Sequence, residues 1–241
     1  MLIIPAIDLR AGRVVRLAQG DYARQTDYPV EPLELARTYQ QAGAHWLHVV
    51  DLDAARSGAF ENLLVIEQLA TTGLKVQAGG GVRSEADLRR LFDAGVERAV
   101  VGSLAVRDPK QVESWIVRHG ADRVCIALDA RRTDRGRWML PVKGWTEASG
   151  VALDELAPRY ERAGARHLLC TDIDRDGMLS GPNVDLYAHL RLLVPELRVQ
   201  ASGGVRDASD LRALEKEGAA AAILGRSLLE GRLTLAQALQ C

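Results

Sequence analysis

The chain has 241 residues, of which 47% are apolar and 26% are charged, and its formal net charge is −1. A chain of this length and composition buries a full hydrophobic core without disulfide or metal support, which argues against long disordered segments. The near-zero net charge argues against a protein that coats nucleic acid.

Eight short apolar runs, each ending in Asp or Gly, follow one another along the chain. In chain order they are LIIPAID, HWLHVVD, LKVQAGG, RAVVG, RVCIALD, RHLLCTD, LRVQASGG and AAAILG. Runs that are apolar on both faces are typical of parallel strands covered by helices. Amphipathic segments separate them, with start signals such as Ser84 followed by Asp87 and, in the second half, Asp207 followed by Asp210. The pattern predicts eight strand–helix units.

The two halves of the chain resemble each other. AGAHWLHVVDLD, which starts at Ala42, matches AGARHLLCTDID, which starts at Ala163, a separation of 121 residues. VQAGGGVR and VQASGGVR are identical at seven of eight positions. Agreement of several blocks in one order indicates duplication of a unit of about 120 residues.

A duplicated set of four strand–helix units predicts an α/β fold, a (β/α)₈ barrel formed by the whole chain as one domain. The internal halves are expected at about 1–120 and 121–241. A doubly wound open sheet is the alternative, but a half that is repeated once closes more naturally as a ring.

Polar side chains are expected to matter where the strands of such a barrel end, because active sites lie there. Asp8 ends the first strand and Asp129 ends the fifth, half a turn away around the barrel. A carboxylate at the end of an apolar run is costly to bury unless it is paired or used. Loop capping is the alternative for one aspartate alone. Two aspartates at duplicated positions favour an acid–base pair.

Glycine-rich turns follow four of the predicted strands. GGG at 79–81 and SGG at 202–204 end the third and seventh, and Gly102-Ser103 and Gly225-Arg226 end the fourth and eighth. Glycine lets the backbone approach a ligand closely, and a helix N-terminus attracts anions. Tight strand–helix turns are the alternative for a single site, but the duplication favours two phosphate sites. We therefore predict an elongated bisphosphate substrate whose reactive centre lies between the two aspartates.

Motifs for metal or nucleotide chemistry are missing. The chain has no HExxH, histidine cluster or CxxC, so no metal is expected, and it has no Walker motif, so nucleotide hydrolysis is not expected. Carboxylates and phosphate sites without a redox-active group leave proton transfer as the reaction class.

The ends and the cysteines of the chain bear on its compartment. No run approaches ~18 consecutive apolar residues, so no membrane span is expected. The start, MLIIPAIDLR, lacks a basic region and a small-residue cleavage site, so no secretory signal is expected. Cys125 and Cys170 fall in apolar runs, which predicts reduced core thiols in a cytoplasmic protein.

Several segments resemble the histidine-biosynthesis isomerases that act on ProFAR, the phosphoribosyl-formimino-aminoimidazole-carboxamide ribonucleotide. These segments are IPAIDLRAGRVVRLAQGDY, LHVVDLDAA, GGGVR, VKGWTEASG, TDIDRDGMLSGPN, ASGGVRD and ILGRSL, and the similarity runs from Met1 to about Gly231. The resemblance implies a (β/α)₈ TIM barrel of two duplicated halves, a substrate with two phosphates and no cofactor. The implied reaction is an Amadori rearrangement that converts an aminoaldose to an aminoketose.

The resemblance also implies roles for individual residues. Asp8 is the expected general base that takes the C2 proton, and Asp129 is the expected general acid that protonates the ribose ring oxygen. The expected substrate-binding residues are His48, Arg83, Trp145, Thr171, Asp176 and Arg16. The expected phosphate-binding residues are Gly81, Gly102 and Ser103 for one phosphate (the first anion site) and Gly177, Ser202, Gly203, Gly225 and Arg226 for the other (the second anion site).

Further expectations concern the settings of these residues. Asp129 needs a pKa raised by desolvation to act as an acid, and Asp8 needs more polar surroundings to stay ionised. Trp145 is expected to stack on the aminoimidazole, and Arg16 and Arg83 are expected on mobile loops. The segments from Leu17 to Tyr28 and from Arg131 to Gly150 are expected to close over the substrate. A core position is the alternative for His48, and a plain surface charge is the alternative for Arg16.

Three other functions are weighed against this one. The sister cyclase of the same pathway usually carries Cys where this chain has Ala6 and Lys-Gly where it has Arg16-Leu17. A dual-substrate isomerase that also accepts phosphoribosyl-anthranilate shares the GWT and DG elements. A phosphosugar-binding module without turnover is the alternative from another class, and Asp8 and Asp129 argue against it. The expected partner is a small-molecule bisphosphate, with no nucleic acid and no membrane, and the expected state is a monomer.

Overall fold

Strands and helices alternate along the whole chain in the computed structural model, which describes residues Met1–Cys241. The strands are β1 (Leu2–Arg10), β2 (Arg13–Ala18), β3 (Asp21–Asp27), β4 (Trp46–Asp51), β5 (Lys75–Gly79), β6 (Arg98–Val101), β7 (Val124–Ala127), β8 (Arg131–Arg132), β9 (Trp138–Met139), β10 (His167–Thr171), β11 (Arg198–Ser202) and β12 (Ala221–Leu224). The helices are α1 (Pro32–Gln41), α2 (Leu52–Ser57), α3 (Leu63–Ala70), α4 (Glu85–Asp93), α5 (Ser103–Arg107), α6 (Pro109–His119), α7 (Leu153–Arg162), α8 (Val184–Leu193), α9 (Ala208–Lys216), α10 (Arg226–Leu229) and α11 (Leu235–Ala238). None of these helices has both the length and the hydropathy required to cross a membrane.

Eight parallel strands close into a barrel. Their hydrogen-bonded order is β1, β4, β5, β6, β7, β10, β11 and β12, and β12 pairs back onto β1 with Ala221 opposite Leu2. At least one helix lies between each strand of the ring and the next. The predicted (β/α)₈ barrel is confirmed, because an open sheet would leave β1 and β12 unpaired.

The core has two layers, one on each side of the barrel wall. A cluster of 55 buried residues includes the outward-facing strand side chains and the helices, and a smaller cluster of eight lies inside the barrel. The inner cluster is Ile4, Ala6, Val100, Cys125, Ala127, Leu169, Ala221 and Ile223. Cys125 and Cys170 are both buried free thiols, as predicted. Alternation along each strand therefore sends one set of side chains to the helices and the other to the barrel axis.

Matching contacts in the two halves carry the sequence duplication into the structure. Asn62 Nδ2 donates to Asp51 Oδ1 at 2.7 Å, and Asn183 Nδ2 donates to Asp172 Oδ2 at 2.5 Å. Each pair ties the end of a strand to the start of a helix. The Ser84–Asp87 capping box predicted from the sequence is present at the start of α4. The same local chemistry therefore positions the loops on opposite sides of the barrel mouth.

The segment from Leu17 to Tyr28, which is expected to close over the substrate, forms part of a β-hairpin. β1 and β2 are antiparallel neighbours, and β2 pairs with β3. The turns between them, Ala11-Gly12 and Gln19-Gly20, have positive φ at both residues, which is the type I′ geometry of two-residue hairpins. The prediction of a mobile-loop position for Arg16 was wrong, because Arg16 lies in β2 and only 13% of its side chain is exposed.

Candidate active site

One cavity of about 1110 Å³ opens at the carboxyl ends of the barrel strands. It is lined by all the residues that the sequence singled out, which are Asp8, Arg16, His48, Gly81, Arg83, Gly102, Ser103, Asp129, Trp145, Thr171, Asp176, Gly177, Ser202, Gly203, Gly225 and Arg226. These residues come from both halves of the chain. The mouth of the barrel therefore brings together every candidate site residue.

Arg16 joins two carboxylates at the mouth. Its Nη1 donates to Asp8 Oδ2 at 2.9 Å, and its Nη2 donates to Asp176 Oδ1 at 3.4 Å. The buried Nε of Arg16 has no hydrogen-bond partner. The hairpin brings Arg16 here because Val15 is opposite Asp8 in the β1–β2 register. Arg16 is therefore a largely buried ion-pair partner rather than a plain surface charge.

Asp8 is more deeply buried than expected. Desolvation raises the pKa of Asp8 to about 6, and the charge of nearby Asp176 adds to the rise. The charge and hydrogen bond of Arg16 act in the opposite direction and favour the ionised form. The only polar surroundings of Asp8 that favour its ionised form are thus the ion pair with Arg16. That ion pair keeps the Asp8 carboxyl group ionised above about pH 6.

Asp129 lies just beyond β7, where the apolar strand ends. Trp145 Nε1 donates to Asp129 Oδ2 at 2.9 Å. Burial raises the pKa of Asp129, and hydrogen bonds from Trp145 and Thr171 oppose that rise. Asp129 faces neutral donors whereas Asp8 faces a cation, so the two aspartates have the different environments that an acid–base pair requires.

The loop that carries Trp145 has a strained backbone. Lys143, Gly144 and Trp145 have φ values of +54°, +61° and +70°, a region that side-chain-bearing residues rarely adopt. The indole ring lies against the turn of the β2–β3 hairpin, where a Cβ added to Gly20 would be 2.7 Å from Trp145 Cε3. Strain of this kind concentrates at functional sites. Here the strained loop places the indole N–H on Asp129 and packs the indole ring against the hairpin.

The first anion site lies between β5 and α5. Gly81 has a φ of +75°, and a Cβ there would be 2.5 Å from the carbonyl oxygen of Ala54, so only glycine fits. Gly102 caps the start of α5 and has no side chain to occupy the helix N-terminus. Ser103 Oγ accepts a hydrogen bond from the backbone N–H of Lys143 at 3.2 Å. The glycines thus leave room for an anion to approach the backbone at a helix start.

The second anion site repeats this arrangement between β11 and α10. Gly225 caps α10 without a side chain, as Gly102 caps α5. Arg226 donates to the carbonyl oxygen of Gly177 and pairs with Glu230 at 2.6 Å. The Arg16 guanidinium lies directly over Gly225, since a Cβ there would be 2.7 Å from Arg16 Cζ. This site therefore has two guanidinium groups beside its backbone donors.

Arg83 extends from the turn after β5 toward the end of α2. Its guanidinium lies 3.4 Å from each of the carbonyl oxygens of Ala55, Arg56 and Ser57. The side chain is exposed and lines the cavity. Its loop position agrees with the sequence prediction, and its three hydrogen bonds to the end of α2 are long.

Sequence reasoning missed a group of polar side chains inside the barrel below the aspartates. Gln77, Gln200 and Arg98 are buried there and connect to His48. His48 lines the cavity, and burial together with the charge of Arg16 lowers its pKa to about 4. The signal that could have revealed this group is the glutamine inside the apolar strands VQAGG and VQASGG. Interior strand positions are usually apolar in such barrels.

Known proteins resemble this chain over its full length. The family model of histidine biosynthesis proteins matches residues 2–234. A relative from Stenotrophomonas maltophilia is 54% identical over 241 residues, which cover 100% of this chain and 99% of the relative. A relative from Xanthomonas oryzae pv. oryzae is 55% identical over 240 residues, which cover 99% of this chain and 98% of the relative. Both are named 1-(5-phosphoribosyl)-5-((5-phosphoribosylamino)methylideneamino)imidazole-4-carboxamide isomerase.

Proposed function

The chain belongs to the family of histidine biosynthesis proteins, and from this premise we propose that it isomerises ProFAR to the aminoketose PRFAR. The name shared by the relatives favours the isomerase over the cyclase. The observation that carries the proposal is the pair of aspartates, Asp8 and Asp129, that line one cavity bordered by two glycine-capped helix starts. An acid, a base and two anion sites are what an Amadori rearrangement of a bisphosphate requires.

The proposed chemistry divides between the two aspartates. Asp129 protonates the ribose ring oxygen, so that the C1–O bond breaks and the exocyclic nitrogen forms a protonated imine with C1. Asp8 then removes the proton from C2, and the electron pair moves toward the nitrogen to give an enolamine. The C2 hydroxyl of this species loses its proton and C1 gains one, which leaves a ketone at C2. Burial raises the pKa of both aspartates, to about 6 for Asp8, which favours proton transfer by carboxyl groups.

The remaining site residues are proposed to bind and orient the substrate. One phosphate occupies the first anion site and the other occupies the second, so the aminoaldose is held across the barrel mouth. Thr171, Asp176 and His48 contact the sugar, and Arg83 and Arg16 supply cationic charge. Trp145 leaves Asp129 and stacks on the aminoimidazole when substrate binds. The two-phosphate match between the duplicated site and the substrate supports this arrangement.

We further propose that the protein works as a monomer in the cytoplasm. The free, buried thiols of Cys125 and Cys170 support a reducing compartment. Residues of a single chain line the cavity on all sides, which supports a monomer. Sedimentation equilibrium at micromolar protein concentration tests this proposal directly, because a dimer would give twice the molar mass of the chain.

The experiment that tests the function is an assay with purified protein and ProFAR, followed by separation of the aminoaldose from the aminoketose. Conversion at a rate proportional to enzyme concentration is expected. A parallel assay with phosphoribosyl-anthranilate measures specificity, and the isomerase of histidine biosynthesis is expected to leave it unchanged. Binding of ProFAR without conversion would contradict the proposed activity.

A further inference from the structure

A chain of hydrogen bonds crosses the inside of the barrel beneath the aspartates. Arg98 Nη1 donates to Gln77 Oε1 at 3.1 Å. Gln77 Nε2 lies 3.1 Å from His48 Nδ1 and 2.7 Å from Gln200 Oε1. All four side chains are buried. They belong to neighbouring strands of the ring, except for Gln200, which is the counterpart of Gln77 in the second half.

The donors and acceptors in these hydrogen bonds allow only one orientation of the Gln77 amide and one tautomer of His48. Arg98 has only donors, so the atom of Gln77 that faces it must be the carbonyl oxygen. The amide nitrogen of Gln77 therefore faces the other two partners, and it can only donate to them. His48 Nδ1 must then accept, which places the imidazole proton on Nε2.

Arg98 is itself held in place at the opposite end of the barrel from the active site. Its Nε donates to the carbonyl oxygen of Asp122 at 2.9 Å. Its guanidinium lies 4.2 Å from the centre of the Trp46 ring. With two fixed contacts on its far side, Arg98 cannot turn away from Gln77 without losing both. The orientation of the Gln77 amide is therefore set from below the site.

The Nε2 atom of His48 lies at the active-site end of these hydrogen bonds. His48 lines the cavity, and its Nε2 makes no hydrogen bond within the protein. In the β1–β4 register His48 is opposite Ala6, one step below Asp8 on the same face of the strand. Its Nε2–H is thus a donor available to a ligand beside Asp8.

We propose that Arg98 and Gln77 are positioning residues that hold His48 as a neutral hydrogen-bond donor, through Nε2, to a sugar oxygen of the substrate. The sugar as recipient rests on the proposed function, whereas the position of the proton on His48 does not. A fixed donor costs no reorganisation when the sugar oxygen gains charge during the reaction. An unconstrained imidazole would present an acceptor part of the time. The lowered pKa of His48 agrees with a ring that stays neutral at neutral pH.

The first test needs no variant of the positioning residues. Protein with isotope-labelled histidine is studied by nitrogen–proton correlation NMR at neutral pH, and the His48 signals are assigned by their loss in His48→Asn. The expected result is one neutral form of His48 with its proton on Nε2. A proton on Nδ1, or a doubly protonated ring, would overturn the proposal.

The second test compares two substitutions of the same chemistry in the same layer of the barrel. Gln77→Glu keeps an acceptor for Arg98 but removes the donor to His48, so the imidazole proton is expected to move to Nδ1. Gln200→Glu introduces the same charge and still accepts from Gln77, so the proton is expected to stay on Nε2. We expect kcat/KM for ProFAR to fall roughly tenfold to a hundredfold in Gln77→Glu and less than about threefold in Gln200→Glu.

Thermal unfolding of both variants shows whether either substitution disturbs the fold. Equal losses of kcat/KM in the two folded variants, or an unchanged proton position in Gln77→Glu, would contradict the positioning role. If Gln77→Glu does not fold, the NMR of the unaltered protein decides. Lack of turnover by the unaltered protein would instead refute the proposed function, and the NMR result would still decide where the proton lies.

Discussion

The two aspartates show how one residue type acquires two settings at equivalent positions of a duplicated fold. The negative charge of Asp8 is paired with the Arg16 guanidinium, whereas Asp129 accepts a hydrogen bond from the neutral indole of Trp145. The positions of both aspartates were predictable because each ends an apolar run of the sequence. The Arg16 ion pair was not predictable, because it depends on a hairpin that brings residue 16 back over the end of β1.

Replacing either aspartate by its amide tests the acid–base assignment. We expect Asp8→Asn and Asp129→Asn each to lower kcat roughly a hundredfold to ten-thousandfold, because each removes a proton-transfer group. Binding should persist, since the anion sites are elsewhere, and it can be measured by calorimetry with ProFAR. Asp176→Asn is the matched comparison because Asp176 also lines the cavity and contacts Arg16. A larger loss of kcat in Asp176→Asn than in Asp129→Asn would move the acid role to Asp176.

The pH dependence of the reaction follows from the raised pKa of Asp8. A general base acts only when ionised, so kcat/KM should rise with pH through about 6. Arg16 lowers the pKa of Asp8, so Arg16→Gln should move this acidic limb to higher pH. Rate measurements across the acidic range test both statements. An acidic limb that stays in place in Arg16→Gln would show that Asp8 is not the titrating base.

Among the elements, the barrel strands were predictable and the β2–β3 hairpin was not. Each barrel strand is a compact apolar run, and its buried faces leave little choice of residue. β3 has the sequence DYARQTD and is largely exposed, so no alternation of apolar residues marks it. The available signals were the Ala11-Gly12 and Gln19-Gly20 turns, which are weak without a known partner strand. A strand with little buried surface is set by its neighbour rather than by its own sequence.

Two glycines, Gly81 in the turn of the first anion site and Gly73 before β5, distinguish the cost of a strained backbone from the cost of steric crowding. Gly81 and Gly73 have similar positive φ values, +75° and +88°, but only Gly81 has neighbours within reach of a Cβ. Gly73→Ala should cost about 1 kcal/mol through the backbone alone. Gly81→Ala should cost a further ~1–3 kcal/mol, because the methyl group meets the carbonyl of Ala54.

Urea unfolding of the two variants measures these costs, and steady-state kinetics adds a second readout. Gly81→Ala should raise KM for ProFAR because it displaces the backbone of the first anion site, whereas Gly73→Ala should leave KM unchanged. Equal stability losses and equal KM values would show that Gly81 has no special role in the turn.

At the scale of the whole molecule, the duplication explains both what could be predicted and what could not. Repeated blocks of sequence predicted a ring of eight units and matching sites on opposite sides of its mouth. The Gln77–Gln200 hydrogen bond, 2.7 Å long, shows the halves meeting inside the barrel through equivalent residues. That contact was not predictable, because the repeat gives the residue pair but not which strands face each other across the axis. The proposed proton position on His48 depends instead on the Arg98–Gln77 hydrogen bond in the same part of the barrel.

We propose that twin anion sites hold an elongated bisphosphate with its reacting carbons between Asp8 and Asp129. A crystal structure of Asp8→Asn with ProFAR tests it most directly, because loss of the base should trap the substrate. We predict one phosphate at Gly81, Gly102 and Ser103 and the other at Ser202, Gly203, Gly225 and Arg226. The ribose ring oxygen should lie within about 3.2 Å of Asp129. A phosphate in only one of the two sites, or a sugar ring out of reach of Asp129, would contradict the account.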